Sequence, residues 1–294
     1  MISRPVLRRA LQRILADPGR ALSRAWGALS YGMQQAQVRR AAMGVNLGDG
    51  TILCRMLGRY RMVVSAADEG LALPLIVDGY WELAVTRYIG GRVKPGMACA
   101  DIGANLGYFS VLMGDLVGPT GQLTAFEPFA PNIALLERNL RLNGLEGWCK
   151  VAPVAIGWMT GEIDMMAPAG EPKNAILQPE GVDYSFGRPH RTDRVPVMLL
   201  DDHPFERLDF VKIDIEGAEE PAWPWMQATF DRFPHAEVVL EVNRGKYADP
   251  RAFYDQIAAR FALRIIDFTG CAVPVTVDGL LAIAGDVMLV LRGR

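Results

Sequence analysis

Several absences narrow what this chain can be. The four cysteines, Cys54, Cys99, Cys149 and Cys271, stand far apart, so none has the short paired spacing of a zinc site or a dithiol redox site. Scattered thiols of this kind fit a reducing compartment, and Cys99 reads as a core residue on a strand. There are only three histidines, His190, His203 and His235. No apolar run approaches the ~18 residues of a membrane span. The opening MISRPVLRRALQRIL lacks the long apolar segment and small-residue cleavage site of a secretory leader, so the expected compartment is the cytoplasm. The formal net charge of −2 argues against a general nucleic-acid binder. The dinucleotide fingerprint G-x-G-x-x-G is missing as well, which weighs against a nicotinamide-dependent oxidoreductase.

What is present is unevenly distributed. Residues 1–48 hold eight arginines against a single acid, Asp17, a local surplus of +7 that leaves −9 for the rest. Leu7, Leu11, Ile14 and Leu15 lie on one face at helical spacing. Asp17-Pro18 then has the form of an N-cap followed by proline in the first helical position, and the stripe Leu22, Trp26, Leu29 predicts a second helix running to about Gly44. This basic extension, residues 1–50, has two readings: it docks on the rest of the chain, or it lies on an anionic membrane surface at the inner face.

Residues 51–96 predict two paired strands around Gly58, then a helix over GYWELAVTRYIGGRV. From residue 97 onward, apolar strands alternate with helical segments, the pattern of a parallel sheet covered on both faces. The strands are MACAD, QLTAFE, CKVAPVAI, LDFVKID and AEVVLEV, with FALRIIDF and DVMLVLRG as an antiparallel pair at one edge. Residues 167–194 follow no periodicity and read as an irregular acceptor loop or lid.

In such sheets the ligand sits beyond the carboxyl ends of the strands. Asp101 to Gly107 falls there. Gly103 and Gly107 permit tight turning, and Asn105 is the non-glycine type that best tolerates a left-handed conformation. Glu127 ends the next strand, placed to accept both ribose hydroxyl protons. An acid at the mouth of the loop is a poor neighbour for a pyrophosphate and a good one for the sulfonium and ammonium of S-adenosylmethionine. A second stretch, VKIDIEGAEEPAW, ends an apolar strand in Asp214 and Glu216 and opens a helix carrying Glu219 and Glu220.

DIGANLGYFS, AFEP, LLERNLRLNG, VPVMLLDD and VKIDIEGAE, in this order and spacing, resemble the FkbM family of S-adenosylmethionine-dependent methyltransferases, over about residues 60–245. The preceding GYWE, Gly79 to Glu82, is similar to that family's short acidic motif. The resemblance implies an α/β, Rossmann-like class I methyltransferase fold with a seven-stranded, mostly parallel sheet. It also implies methylation of hydroxyl oxygens on a sugar, glycolipid, polyketide or other natural product. It assigns Asp101, Gly103, Asn105 and Gly107 to the methionine part of the cofactor and Glu127 to the ribose. Glu82 is assigned to the cofactor too, and Asp214, Glu216 and Glu219 to the junction of cofactor and acceptor. The chain departs from many class I enzymes at Ile156-Gly157-Trp158, where an acid would bind the adenine amino group; here Ile156 and backbone groups take that role.

An alcohol acceptor must lose its proton, and Asp214 is the expected base or acceptor-orienting group, with Glu216 and His190 as further candidates. Glu241, Asn243 and Tyr184 are candidate acceptor contacts. The carboxylate rim of Asp214, Glu216 and Glu241 also has the chemistry to hold a magnesium ion, although no residue is assigned to one. The leading expectation is an O-methyltransferase. A cofactor-binding tether without catalysis and a nicotinamide-dependent oxidoreductase are the alternatives.

Overall fold

The computed structural model describes residues 18–178, 187 and 189–293, so the predicted first helix of the basic extension lies outside the described residues. Helix α1 (Pro18–Ala41) ends three residues before Gly44. Its C-terminal half packs on the body: Val38 shares a small core with Tyr80 and Leu83, and the Arg39 Nε donates to Asp78 at 2.6 Å. An antiparallel three-stranded sheet follows, β1 (Gly44–Asn46), β2 (Thr51–Met56) and β3 (Tyr60–Ser65), with α2 (Ala72–Val77) beside it. The helix expected to begin in GYWE starts only at Leu83, as α3 (Leu83–Arg92). Gly79 closes α2 in the left-handed region, and its N–H donates to the Pro74 carbonyl. The segment up to Glu82, itself at φ +41°, is therefore a loop.

The chain then runs β4 (Ala98–Ile102), α4 (Tyr108–Val117), β5 (Gln122–Phe126), α5 (Ala130–Leu142), β6 (Cys149–Ala152), β7 (Ala155–Ile156), β8 (Gly161–Pro168), β9 (Ile176–Gln178) and β10 (His190–Met198). It closes with β11 (Phe210–Ile213), α6 (Glu219–Ala222), α7 (Gln227–Arg232), β12 (Glu237–Val242), α8 (Pro250–Arg260), β13 (Arg264–Ile266), β14 (Ala272–Pro274), α9 (Val277–Ala282) and β15 (Val287–Leu291). The central sheet has the order β14-β13-β15-β12-β11-β4-β5-β6. Strands β4, β5, β6, β11 and β12 are parallel and the last three antiparallel. This is the Rossmann-like arrangement with its switch point between β4 and β11. The short β14 makes an eighth strand beyond the seven expected.

Alternation along the parallel strands divides the core. Cys99 and Phe210 face the helices α3 to α5, packing with Ile89, Val111, Met113 and Leu136. Ala100, Ile102, Val211 and Ile213 face the opposite layer with Trp223, Phe230 and Phe253. The sheet is thus buried on both sides and only its strand ends are open to a ligand.

The stretch CKVAPVAI is two strands rather than one. Pro153 has no N–H to give, and the chain leaves the central sheet there, so Ala155 and Ile156 pair with β10 in a second sheet of order β7-β10-β8-β9. The two ends of the segment expected to be irregular, residues 167–194, and a short strand within it belong to this sheet, where His190–Val197 runs antiparallel to Gly161–Pro168. Tyr184 lies outside the described residues. Among the described residues no helix is long and apolar enough to cross a membrane.

Candidate active site

The carboxyl ends of β4, β5, β11 and β12 open onto a cavity of about 860 Å³, walled on its far side by Trp81 and Glu82. The loop after β4 makes its floor. Gly103 stands at φ +79°, and a Cβ there would meet the Asp214 carbonyl oxygen at 1.8 Å, so the close approach of two loops demands glycine as much as the turn does. Asn105 is left-handed at φ +52°. Its N–H donates to Glu127 Oε2 at 2.7 Å, while the Phe129 N–H donates to Oε1 at 3.0 Å. Glu127 therefore ties the two loops together and still lines the cavity. Burial pushes its carboxyl up to about 7 against the pull of those N–H groups.

Asp101 does not reach the cavity, contrary to its expected place beside the cofactor's cation. It is fully buried, accepts from the Ser110 hydroxyl at 2.6 Å through Oδ2, and turns Oδ1 toward Lys212 Nζ at 3.9 Å. The register explains it: Asp101 on β4 lies directly beside Lys212 on β11, and both point into the α3–α5 layer. Gly107 also stays behind the floor, opening α4 at φ +95°. Glu82 supplies the acid that Asp101 does not. It lines the cavity, its Oε2 is buried with no hydrogen-bond partner, and burial together with the Asp214 charge pushes it up to about 7.

Asp214 directly follows β11 on the cavity edge and accepts from Lys212 Nζ at 3.0 Å. Burial opposes its charge, but the Lys212 ammonium prevails and holds it low. Glu241 lies opposite on β12 and is pushed strongly upward by burial and by Asp214. Glu216, left-handed at φ +55°, is paired with Lys246 at 2.6 Å. Asn243 lines the cavity, yet its amide is used locally: the oxygen accepts from Gly245 N and the nitrogen donates to Asp286.

Two other expected contacts lie elsewhere. Glu219 folds back to accept from the Ile215 and Gly217 N–H groups, each at 2.9 Å, and from the Tyr247 hydroxyl. It braces the loop that carries Asp214 and does not line the cavity. His190, the first residue of β10, is exposed and borders a separate hollow of about 350 Å³ with Asp68, Phe129 and Arg191. A strand start in the second sheet carries it away from the main site. Ile156 is buried and lines the main cavity beside Val154 and Trp158.

Lys212 is the site residue that sequence reasoning passed over. Its signal was visible in VKID: a lysine inside an apolar strand buried on both faces is a charge that must have partners. Lys212 and Lys246 also bear on the metal question. Asp214, Glu216 and Glu241 can each bring an oxygen within 4.8 Å of the others. Two ammonium groups already bond Asp214 and Glu216, so this donor set has its countercharge from the protein. A magnesium ion does not fit it.

Residues 101–264, more than half of the chain, match the family model described as the methyltransferase FkbM domain. Methyltransferase sdnD of Sordaria araneosa is 29% identical over 146 residues, which cover 40% of this chain and 56% of that protein. The chain thus spans about half the length of the curated relative it matches. Among solved structures, an O-methyltransferase from Bacillus cereus in complex with SAH aligns at 16% identity and a TM-score of 0.40, covering 77% of this chain and 84% of that one. A SAM-dependent O-methyltransferase from Thermotoga maritima aligns at 12% identity and a TM-score of 0.40, with coverages of 72% and 64%.

Proposed function

The chain belongs to the FkbM methyltransferase family, and on that premise we propose that it moves a methyl group from S-adenosylmethionine to a hydroxyl of a sugar, glycolipid, polyketide or other natural product. The observation that carries the reading is the division of the cavity wall. One carboxylate, Glu127, stands at the end of β5 beside an apolar wall of Val154, Ile156 and Trp158, while the acids Glu82, Asp214 and Glu241 face the other side. Phe129 N–H and the Asn132 amide occupy Glu127 Oε1, which leaves a lone pair on Oε2 for a ribose hydroxyl, and the apolar wall suits a flat base. The orphaned Glu82 oxygen suits a cation.

The bound cofactor supplies a methyl carbon activated by a positive sulfur. The remaining work belongs to the chain. The cavity walls would hold the acceptor oxygen against the cofactor, and alignment of this kind is worth up to ~7–11 kcal/mol. Asp214, kept ionised by Lys212, takes the proton of the acceptor hydroxyl. With that proton removed the acceptor oxygen has an electron pair to give, and the cofactor, held by Glu127 and Glu82, would supply the methyl carbon and a sulfur leaving group to receive the displaced pair.

Transfer of labelled methyl groups to a panel of hydroxyl-bearing sugars and polyketides tests this. Asp214→Asn is expected to lose roughly 10²–10⁴-fold in rate, while S-adenosylhomocysteine still raises its melting temperature. A variant that retains full turnover would remove Asp214 as the base. If the wild-type chain binds the cofactor and labels nothing in a broad panel, the tether reading gains ground.

A further inference from the structure

Four ionisable side chains form a line across three adjacent strands. Lys212 lies beside Asp101 in the register of β11 and β4, and two residues on, Asp214 falls beside Glu241 at the ends of β11 and β12. All four point to one face, because side chains two apart on a strand share a face and in-register neighbours in a parallel sheet follow suit. Lys212 is 2% exposed. Its ammonium is 3.0 Å from Asp214 Oδ2, 3.9 Å from Asp101 Oδ1 and 5.0 Å from the centre of the Phe109 ring. Asp101 Oδ1 has no hydrogen bond of its own, so Lys212 is the positive charge within its reach.

Asp214 and Glu241 bring carboxylate oxygens within 4.8 Å of each other, and like charges so placed in a shielded corner favour one of the two keeping its proton. The lysine contact is asymmetric: Lys212 bonds Asp214 and not Glu241. We propose that Lys212, backed by Asp101, is a positioning residue that sets the protonation order of this carboxylate pair, leaving Asp214 ionised and Glu241 neutral. The proposal rests on Asp214 being the group that receives the acceptor proton, and it explains why only one of two adjacent acids can do so. The other charges facing the pair do not reverse this order. Glu82 and Glu216 both disfavour ionisation of Glu241, and Lys246 is held by Glu216 and Asp286. Burial and the Asp214 charge raise Glu241 far above the ordinary glutamate value of 4.5, in keeping with a retained proton.

The test needs neither cofactor nor acceptor, so it stands apart from the fate of the methyltransferase reading. The protonation of Glu241 and Asp214 is read in the full ligand-free chain from pH 5 to pH 8 by the carboxyl carbon shifts of glutamate- and aspartate-labelled protein, each signal identified by its loss in Glu241→Gln or Asp214→Asn, together with the melting temperatures of wild type and Glu241→Gln. A group that keeps its proton on folding costs more stability as pH rises above its unfolded value. Glu241→Gln is therefore expected to gain steadily on wild type with increasing pH. The Asp214 carboxyl carbon should keep the shift of an ionised aspartate across the whole range, and the Glu241 carbon that of a protonated acid. A protonated Asp214 beside an ionised Glu241, or no slope in Glu241→Gln, overturns the proposal.

The role of Lys212 is read in the charge-compensated background Lys212→Met/Asp101→Asn, where the difference between the two carboxyl signals should shrink. An undiminished difference there overturns the assignment to Lys212. If that background does not fold, Asp101→Asn alone leaves Lys212 wholly to Asp214 and must preserve the Glu241→Gln slope. Its loss counts against the proposal.

Discussion

Adding one methyl group at Gly103 is expected to collapse the floor of the cavity. A Cβ there would sit 1.8 Å from the Asp214 carbonyl oxygen and 2.9 Å from its carbon, and both are backbone atoms that no rotamer change can move aside. The residue also holds φ +79°, where an L side chain costs roughly 1–2 kcal/mol, and overpacking a close contact adds roughly 1–3 kcal/mol. Gly103→Ala should therefore lose about 3 kcal/mol in a urea titration and with it the binding of S-adenosylhomocysteine, since the loops carrying Asn105 and Asp214 must part. Gly90→Ala provides the control, because nothing lies within 4 Å of a Cβ added on that exposed position of α3. It should be neutral or slightly stabilising. Equal midpoints for the two variants would show that the two loops are not packed as described.

Lys212→Met is expected to be the most damaging change away from glycine. The methionine matches the lysine in length but leaves Asp101 and Asp214 facing each other without the ammonium between them. Breaking a buried ion pair by removing one partner typically costs about 3–5 kcal/mol, because a desolvated charge remains uncompensated. Asp101 has nowhere to turn, being fully buried with Ser110 as its one hydrogen-bond donor. The second-site change Asp101→Asn should restore a large part of the loss, which urea unfolding of the single and double variants would read as a coupling between the two positions. Additive losses would mean that the 3.9 Å approach of Lys212 to Asp101 carries no energy.

These effects arise from side chains whose neighbours the sequence does not display, and that marks the limit of what it discloses. The central strands were legible because strands buried on both faces read as apolar runs closed by Asp101, Glu127, Asp214 and Glu241. Strand ends gave the edge on which the site lies. They did not show depth, and depth separates Asp101, which serves Lys212, from Glu82, which faces the cavity. Local spacing was equally silent on Glu219, since an acid in a first helical turn can point to a ligand or fold back on its own loop, and here it folds back onto Ile215 and Gly217. The second sheet escaped notice for a different reason. Its main pairing joins Gly161–Pro168 to His190–Val197 across a proline-rich interval, and such a long-range partnership leaves no local period.

The central claim is that the cavity holds an adenosyl sulfonium cofactor and no dinucleotide. Thermal unfolding with S-adenosylmethionine, S-adenosylhomocysteine and NAD as separate ligands tests it most directly. A ligand at ~100 times its dissociation constant adds about 2.7 kcal/mol of stability, a readily resolved shift. The two adenosyl compounds should raise the melting temperature of the wild-type chain, NAD should not, and Glu127→Ala should abolish the effect by removing the carboxylate that ties Asn105 to Phe129. Stabilisation by NAD alone, or by neither adenosyl compound, would contradict the account.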